Sequence, residues 1–300
     1  MFFRNLTLFR ITPSVVPEDL QSPLSEHPLR EIGAMELSCS GFEPAVAGTE
    51  DLAFEVAPFV MACLGTDSKL LPSSVINREL DTKIREMRDR EGRSPGGRER
   101  KRMKDEILTE LMPKAFVKHG RQCGYIDRRT GWVVIDTATR KSAEGWLSAL
   151  REALGSFPAV PVNAESSPRA LMTAWLAGEP LPENFVLGDE VELRDPVDAG
   201  AIVRAKRQEL EAEEIREHLK CGKQVFQLSL VYKERLSFVL GEDLIIRKLR
   251  FLEAATESLD AGDRDSMAAE LQAILALMGG EVSELLQALD EAFGFSAPDA

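Results

Sequence analysis

Apolar and polar residues follow patterns that predict strands and one helix in the first half of the chain. The segment "NLTLFRI" (5–11) alternates and "FVMACLG" (59–65) is a short apolar run, so both predict strands. The segment "YIDRRTGWVVIDTA" (125–138) predicts a hairpin, because Gly131 in its turn adopts a positive φ at no steric cost. The segment "KSAEGWLSALREALG" (141–155) predicts a helix with one apolar face, which Gly155 ends. Together these four segments predict an α+β block.

Helical periodicity dominates the stretch between these β-rich pieces. Residues 72–92 and residues 97–112 each carry apolar side chains at every third or fourth position. The connector "GRSPGG" (92–97) cannot be helical throughout, because proline and glycine interrupt helices. The pattern therefore predicts two amphipathic helices that fold back as a hairpin and project from the α+β block.

A second set of elements begins in the later part of the chain. The segment "SPRALMTAWLAG" (167–178) predicts a helix, and "AIVRAKRQEL" (201–210) begins as a strand. Residues 224–252 predict three antiparallel strands, because their apolar positions alternate. The C-terminal segment predicts two helices divided by Gly279 and Gly280, since glycine is a poor helix former.

These elements predict an α+β fold of antiparallel or mixed sheets with flanking helices and a projecting helical hairpin. Three hundred residues are enough for two or three small domains. We expect a central α+β domain (1–72 and 113–165), a helical tip domain (73–112) and a base α+β domain (166–300).

Charge is distributed unevenly along the chain. The formal net charge is −13, and a uniformly negative surface would repel phosphate groups. Residues 69–141, however, carry 19 Lys and Arg against 11 Asp and Glu, a net charge of +8. This asymmetry predicts a local anion-binding face on an otherwise acidic protein.

Motifs that carry catalysis are not evident in the chain. The three histidines are scattered without metal-ligand spacing, and neither a phosphate-binding loop nor a nucleophile elbow is found. We therefore predict that the protein is not an enzyme, and we assign no catalytic residue, no metal and no cofactor. A metal-dependent nuclease stays open as an alternative, because acidic residues are abundant.

Cysteine spacing and hydropathy bear on localisation. The four cysteines, at positions 39, 63, 123 and 221, form no close pair, so we expect free thiols in a reducing cytoplasm. No apolar run is long enough to span a bilayer, and the N-terminal residues do not resemble a secretory signal. We therefore expect a cytoplasmic protein without a membrane partner.

Basic residues cluster beside turns and strand ends, where they could neutralise phosphates. Lys114 and Lys118 flank Phe116, which could stack on bases if it is exposed. Because phenylalanine is more often buried, core packing is the first interpretation of Phe116. Composition and spacing favour DNA binding. The alternative is a protein-interaction scaffold that docks an acidic partner through its basic tip without binding DNA.

Several segments in the same order resemble the bacterial recombination-associated RdgC family. The resemblance is clearest in "FRNLTLFRI", "LPSSVINRELDTKI", "KDEILTELMPKAF" and "AIVRAKRQELEAEEIREHLKCGKQV". It implies an α+β homodimer shaped as a closed ring, with a basic hole through which double-stranded DNA passes. It further implies DNA binding with little sequence preference, association with the nucleoid, a role in recombination and replication, and restraint of RecA-promoted strand exchange. Single-stranded DNA stays open as a second ligand.

The resemblance also implies which residues contact DNA. Lys114 and Phe116 of "PKAF" would lie at the gate of the ring, and the motifs "VRAKRQ" and "CGKQV" would face the DNA. Lysine at position 114 keeps the charge but cannot make the bidentate phosphate contact of an arginine. The glycines and proline of "EGRSPGG" imply a shorter or more mobile tip than the family has. The predicted DNA-binding residues are Lys114, Phe116, Lys118, Arg204, Lys206, Arg207, Lys223, Arg98, Arg100, Lys101 and Arg102.

Overall fold

The computed structural model describes residues 2–197, 200–260 and 266–296, and these divide into two compact units. The first unit comprises Met1–Leu24, Pro44–Ala62 and Gln122–Ala300. The second unit comprises Ser25–Glu43 and Cys63–Arg121. Each unit therefore contains segments that are distant in sequence.

Twelve strands, eight α-helices and two short 3-10 helices, Pro13–Val15 and Met112–Lys114, make up the regular structure of the described residues. The strands are β1 (Leu6–Arg10), β2 (Ser38–Glu43), β3 (Ala53–Val56), β4 (Phe59–Lys69), β5 (Val117–Asp127), β6 (Trp132–Asp136), β7 (Val160–Pro161), β8 (Phe185–Arg194), β9 (Ile202–Lys206), β10 (Gln224–Tyr232), β11 (Leu236–Gly241) and β12 (Ile246–Phe251). The helices are α1 (Gln21–Ser25), α2 (Ser73–Glu91), α3 (Gly97–Leu111), α4 (Arg140–Leu154), α5 (Pro168–Ala177), α6 (Glu213–Lys220), α7 (Glu253–Asp260) and α8 (Met267–Phe293).

An antiparallel sheet forms the centre of the first unit, with the strand order β5-β6-β1-β12-β11-β10-β8-β9. Strand β1 lies between β6 and β12, and Leu6 is opposite both Asp136 and Ile246. The predicted hairpin is present, and Gly131 at its turn has a φ of +76°. The predicted α+β class is therefore confirmed, and its largest sheet is antiparallel.

Helices α4 and α5 bury their apolar faces within the first unit. Trp146 of α4 is buried, and its indole Nε1 donates a hydrogen bond to the Ala62 carbonyl oxygen at 3.3 Å. Thr173 of α5 accepts a hydrogen bond at its Oγ1 from the Val225 amide of β10, at 2.9 Å. Helix α4 ends before Gly155, whose φ of +72° suits a glycine C-cap, as the sequence predicts.

Helix α8 corrects the prediction of two C-terminal helices. It is continuous from Met267 to Phe293, and Gly279 and Gly280 lie inside it. A glycine costs a helix only about 1 kcal/mol, and the burial of nine α8 residues outweighs this penalty. Gly279 is buried against the ring of Phe59, where an added Cβ would lie 2.5 Å from the ring. The glycine pair therefore permits a close approach and does not end the helix.

In the second unit, helices α2 and α3 share a small apolar core, and β2 pairs with β4. Ile76 and Leu80 of α2 are buried together with Met103 and Ile107 of α3. This apolar stripe matches the periodicity of the sequence and leaves the charged residues on the outer faces. The predicted projection of this helix pair, and the three-domain division, stay predictions.

Two of the four cysteines differ from expectation. Cys63 and Cys123 are disulfide-bonded, whereas Cys39 and Cys221 are free. The expectation of free thiols is wrong for these two cysteines, because spacing in the sequence does not determine which thiols form disulfides. Among the described residues, no helix combines the length and apolar character needed to cross a membrane.

The two glycines of α8 give opposite expectations for alanine substitution. We expect Gly279→Ala to lower the free energy of unfolding by about 1–3 kcal/mol, because its Cβ would overpack the Phe59 ring. Gly280→Ala is the matched control, since nothing lies within 4 Å of its added Cβ. It should raise the free energy of unfolding by about 0.5–1 kcal/mol. Urea unfolding of both variants measures the difference, and equal effects would contradict the close approach of α8.

Candidate nucleic-acid interface

Helix α3 presents its basic residues to solvent because its apolar residues are buried against α2. Met103 and Ile107 lie on the buried side. The four predicted DNA-binding residues of this helix are all solvent-accessible: Arg98, Arg100, Lys101 and Arg102. Within the described residues, Arg102 has an ion pair with Glu106 at 3.5 Å, while no ion pair involves the other three.

Arg93, in the turn between α2 and α3, pairs with one carboxylate on each side of the turn. Arg93 contacts Glu99 at 2.7 Å and Glu91 at 2.9 Å. The hydrogen bond from the Arg93 guanidinium holds the pKa of the Glu99 carboxyl below its usual value. Glu91 and Glu99 are therefore engaged mainly by Arg93.

Phe116 is 84% exposed, so the interpretation of this residue as core is wrong. Its carbonyl oxygen accepts a hydrogen bond from the Leu70 amide at 2.8 Å, which holds the backbone while the ring points to solvent. Lys114 and Lys118 are exposed on either side of it in sequence, and neither forms an ion pair within the described chain. An exposed aromatic ring between two free cations is suited to contact nucleic acid.

A charged cluster on β5 lies next to this aromatic residue in sequence. His119 contacts Asp67 through Nδ1 at 2.8 Å and Glu43 through Nε2 at 3.3 Å. Arg121 contacts the same Glu43 at 3.0 Å. The hydrogen bond with Asp67 raises the pKa of His119, and the nearby Glu43 adds to the effect. The sequence did not indicate this cluster, because its members are distant along the chain.

In the first unit, Arg204 of β9 has a structural partner. Its Nε contacts Glu192 at 2.6 Å, and Arg194 binds the same carboxylate. Burial alone would raise the pKa of Glu192, but the hydrogen bonds from Arg204 and Arg194 outweigh it and lower the pKa. Arg204 thus compensates the Glu192 side chain, which is only 9% exposed. Much of the positive charge of Arg204 is therefore already neutralised.

The other predicted cations of the first unit are free but spread out. Lys206 and Arg207 are exposed at one end of β9, and Lys223 precedes β10. None of the three forms an ion pair among the described residues. The register places Gln224 opposite Arg194 of β8, next to the far end of β9. Lys223, one residue before Gln224, therefore lies about 17 Å along the strand direction from Lys206, about five strand residues away.

Arg85 and Arg88 of α2 were missed by the sequence predictions. Together with Arg100 they line a surface cavity of about 470 Å³. Their spacing of three residues places them on one helix face, which is the signal that could have found them. Among the described residues, no group of three or more His, Cys, Asp or Glu side chains could hold a metal ion.

The fold and these exposed cations define a class, namely an α+β protein that carries free basic residues on an acidic chain. The chain belongs to the RdgC family: the family model described as "Putative exonuclease, RdgC" matches residues 1–296. It is 45% identical over 301 residues to a recombination-associated protein RdgC of Stenotrophomonas maltophilia, covering 100% of both chains. It is also 45% identical over 302 residues to the protein of that name from Xanthomonas campestris pv. campestris, again covering 100% of both. The resemblance found in the sequence is thereby confirmed.

The environment of His119 predicts a pH dependence. We expect a pKa for His119 above 6.5, because protonation strengthens its contacts with Asp67 and Glu43. The pKa of His119 in the unfolded chain is about 6.5, and below this pH the raised pKa of the folded state contributes its full stabilisation. This stabilisation is lost as the pH rises through the pKa of the folded state. Titration of the imidazole signals by NMR measures it, and Asp67→Asn should lower the pKa. A pKa at or below 6.5 in the unmodified protein would contradict the cluster.

The pairing of Arg204 predicts a stability effect that neighbouring cations lack. We expect Arg204→Ala to lower the free energy of unfolding by about 1–2 kcal/mol, because Glu192 loses one of its two partners. Lys206→Ala, two residues along the same strand, is the matched control and should stay within about 0.5 kcal/mol of the unmodified protein. Urea unfolding compares them, and an unchanged Arg204→Ala protein would show that the ion pair is not structural.

Proposed function

We propose that this protein binds double-stranded DNA without sequence preference and acts in homologous recombination. As a homodimer it would form a ring around the duplex and restrain RecA-mediated strand exchange at the nucleoid. The family assignment supports recombination as the process, since the relatives are named recombination-associated. DNA binding, the ring and the restraint of RecA are the proposed parts.

One observation carries the proposal: the predicted cations are solvent-accessible and largely uncompensated on a chain that has an excess of acid. Of the ten basic candidates, eight form no ion pair within the described residues, and only Arg102 and Arg204 do. Free cations release counterions when they contact phosphates, and this effect dominates sequence-independent DNA binding. The exposed ring of Phe116 adds a surface that stacks on any base.

An encircling ring accounts for the acidic composition. A net charge of −13 would repel DNA from the outer surface. If the cations face an enclosed duplex, the DNA meets a basic surface, and topological closure holds it even when each phosphate contact is weak.

Binding is proposed here in preference to cleavage or scaffolding. The description of the family model includes the word exonuclease, so nuclease activity is the second candidate. A nuclease would shorten end-labelled duplex DNA in the presence of Mg²⁺ or Mn²⁺. A scaffold would bind an acidic protein partner and leave DNA untouched. The DNA-binding measurement below distinguishes the nuclease and the scaffold from a protein that binds DNA without cleaving it.

We expect tight, sequence-blind and salt-sensitive binding of duplex DNA. Unrelated duplexes of equal length should bind with the same affinity, and log K should fall by about 0.9 per log unit of salt for each phosphate neutralised. Arg207→Glu should weaken binding and reduce this slope, because it places a carboxylate where a free cation now lies. Fluorescence anisotropy at several salt concentrations measures both quantities, and a circular duplex should resist competition better than a linear one.

The control for this measurement is Lys141→Glu on α4, which makes the same change in charge at an exposed residue that is not among the predicted contacts. It should leave affinity within about twofold. Equal weakening by both variants would show that net charge alone matters and would contradict a specific basic surface. An affinity that does not change with salt concentration would contradict the electrostatic basis of DNA binding. Loss of intact DNA that depends on divalent ions would favour nuclease activity over binding as the function.

A further inference from the structure

The cavity between α2 and the start of α3 is lined by an excess of positive charge. Arg85, Arg88 and Arg100 line it, and Asp81 supplies its one carboxylate. The volume of the cavity is about 470 Å³, which exceeds the space that a single phosphate group needs. Ser94 adds a hydroxyl group to the lining. Three guanidinium groups against one carboxylate leave two uncompensated charges in one concave surface.

Internal hydrogen bonds orient two of these arginines and leave donors free. Arg88 donates from Nη2 to the Ser94 hydroxyl at 3.2 Å. Arg85 donates from Nε to the Asp81 carbonyl oxygen at 3.3 Å. Each guanidinium has five N–H donors, so both side chains retain donors that have no acceptor within the described part of the chain. No ion pair within the described residues involves Arg85, Arg88 or Arg100.

Two arginines close to the cavity in sequence, Arg93 and Arg102, are compensated by carboxylates. Arg93 is bound to both Glu91 and Glu99, and Arg102 contacts Glu106. The carboxylates of the turn are thus directed to arginines outside the cavity. Like charges that converge without a partner repel one another, and a bound anion removes this repulsion.

The geometry points to a phosphate-binding site formed by Arg85, Arg88 and Arg100 in this cavity, occupied by a phosphate group of the nucleic-acid backbone. The planar fork of arginine matches the oxygens of a phosphate, and charge-assisted bonds of this kind are strong. Asp81 repels a carboxylate ligand as much as it repels a phosphate. The preference for phosphate comes from its larger number of oxygens, which accept more hydrogen bonds from the three arginines. The assignment of the phosphate to a nucleic-acid backbone rests on the proposed function, whereas phosphate binding by the three arginines does not.

Side-chain NMR tests the site with inorganic phosphate as the probe. Titration against chloride at equal ionic strength should shift the Nε–Hε signals of Arg88 and Arg100 in a saturable manner. The double variant Arg88→Gln/Arg100→Gln should bind phosphate about tenfold more weakly for each guanidinium removed. The matched control is Arg78→Gln, an exposed residue of the same helix outside the cavity, which should keep the binding. Circular dichroism confirms that each variant is folded.

A duplex DNA titration tests the source of the phosphate. The double variant should reduce the slope of log K against log salt by about 0.9, which corresponds to one phosphate contact, and Arg78→Gln should not. Saturable phosphate binding with an unchanged DNA slope would overturn the nucleic-acid source and leave a site for free phosphate. Absence of all DNA binding would overturn the proposed function while the phosphate result stands. No saturable shift with phosphate would overturn the site itself.

Discussion

The hydrogen-bond ladder of β1 is the constraint on which the first unit depends. This five-residue strand pairs with β6 along its whole length and meets β12 at Leu6, so it joins segments from the middle and the end of the chain. Two further bonds extend the junction, because the Leu249 amide donates to the Arg4 carbonyl and the Thr7 hydroxyl donates to the Thr137 carbonyl. A polar Thr7 can be fully buried there because its hydroxyl is satisfied. Strands β8 and β9, with their cations, are positioned through this sheet.

In the second unit, the apolar stripe between α2 and α3 plays the corresponding part. Ile76 and Ile107 lie inside, so the basic residues of both helices must face outward. Carboxylates then decide which of these cations are free. Arg93 and Arg102 are neutralised by their neighbours, while Arg98 and Lys101 have no ion-pair partner among the described residues. The function we propose depends on which cations are left free and not on the summed net charge of the chain, which is −13.

Local patterns predicted the elements well and their ends less well. The hairpin at Gly131 and the helices that end near Gly92 and Gly155 followed from periodicity and glycine chemistry. The break at Gly279 did not occur, because its penalty is small beside the burial of the α8 face against Phe59. Strand β8 was not predicted, since its residues do not alternate regularly between buried and exposed positions.

The sequence by itself determined the α+β class, the family and the positions of the basic clusters, because all three are encoded in local spacing and in long runs of matching residues. Only the tertiary structure decided which cations are free. Arg204 is held by Glu192 from a neighbouring strand, and Phe116 is exposed where composition favoured burial. Neither fact can be read along the chain, because each depends on partners that the fold brings near or keeps away. Pairing and exposure are properties of distances in space, and sequence spacing does not contain them.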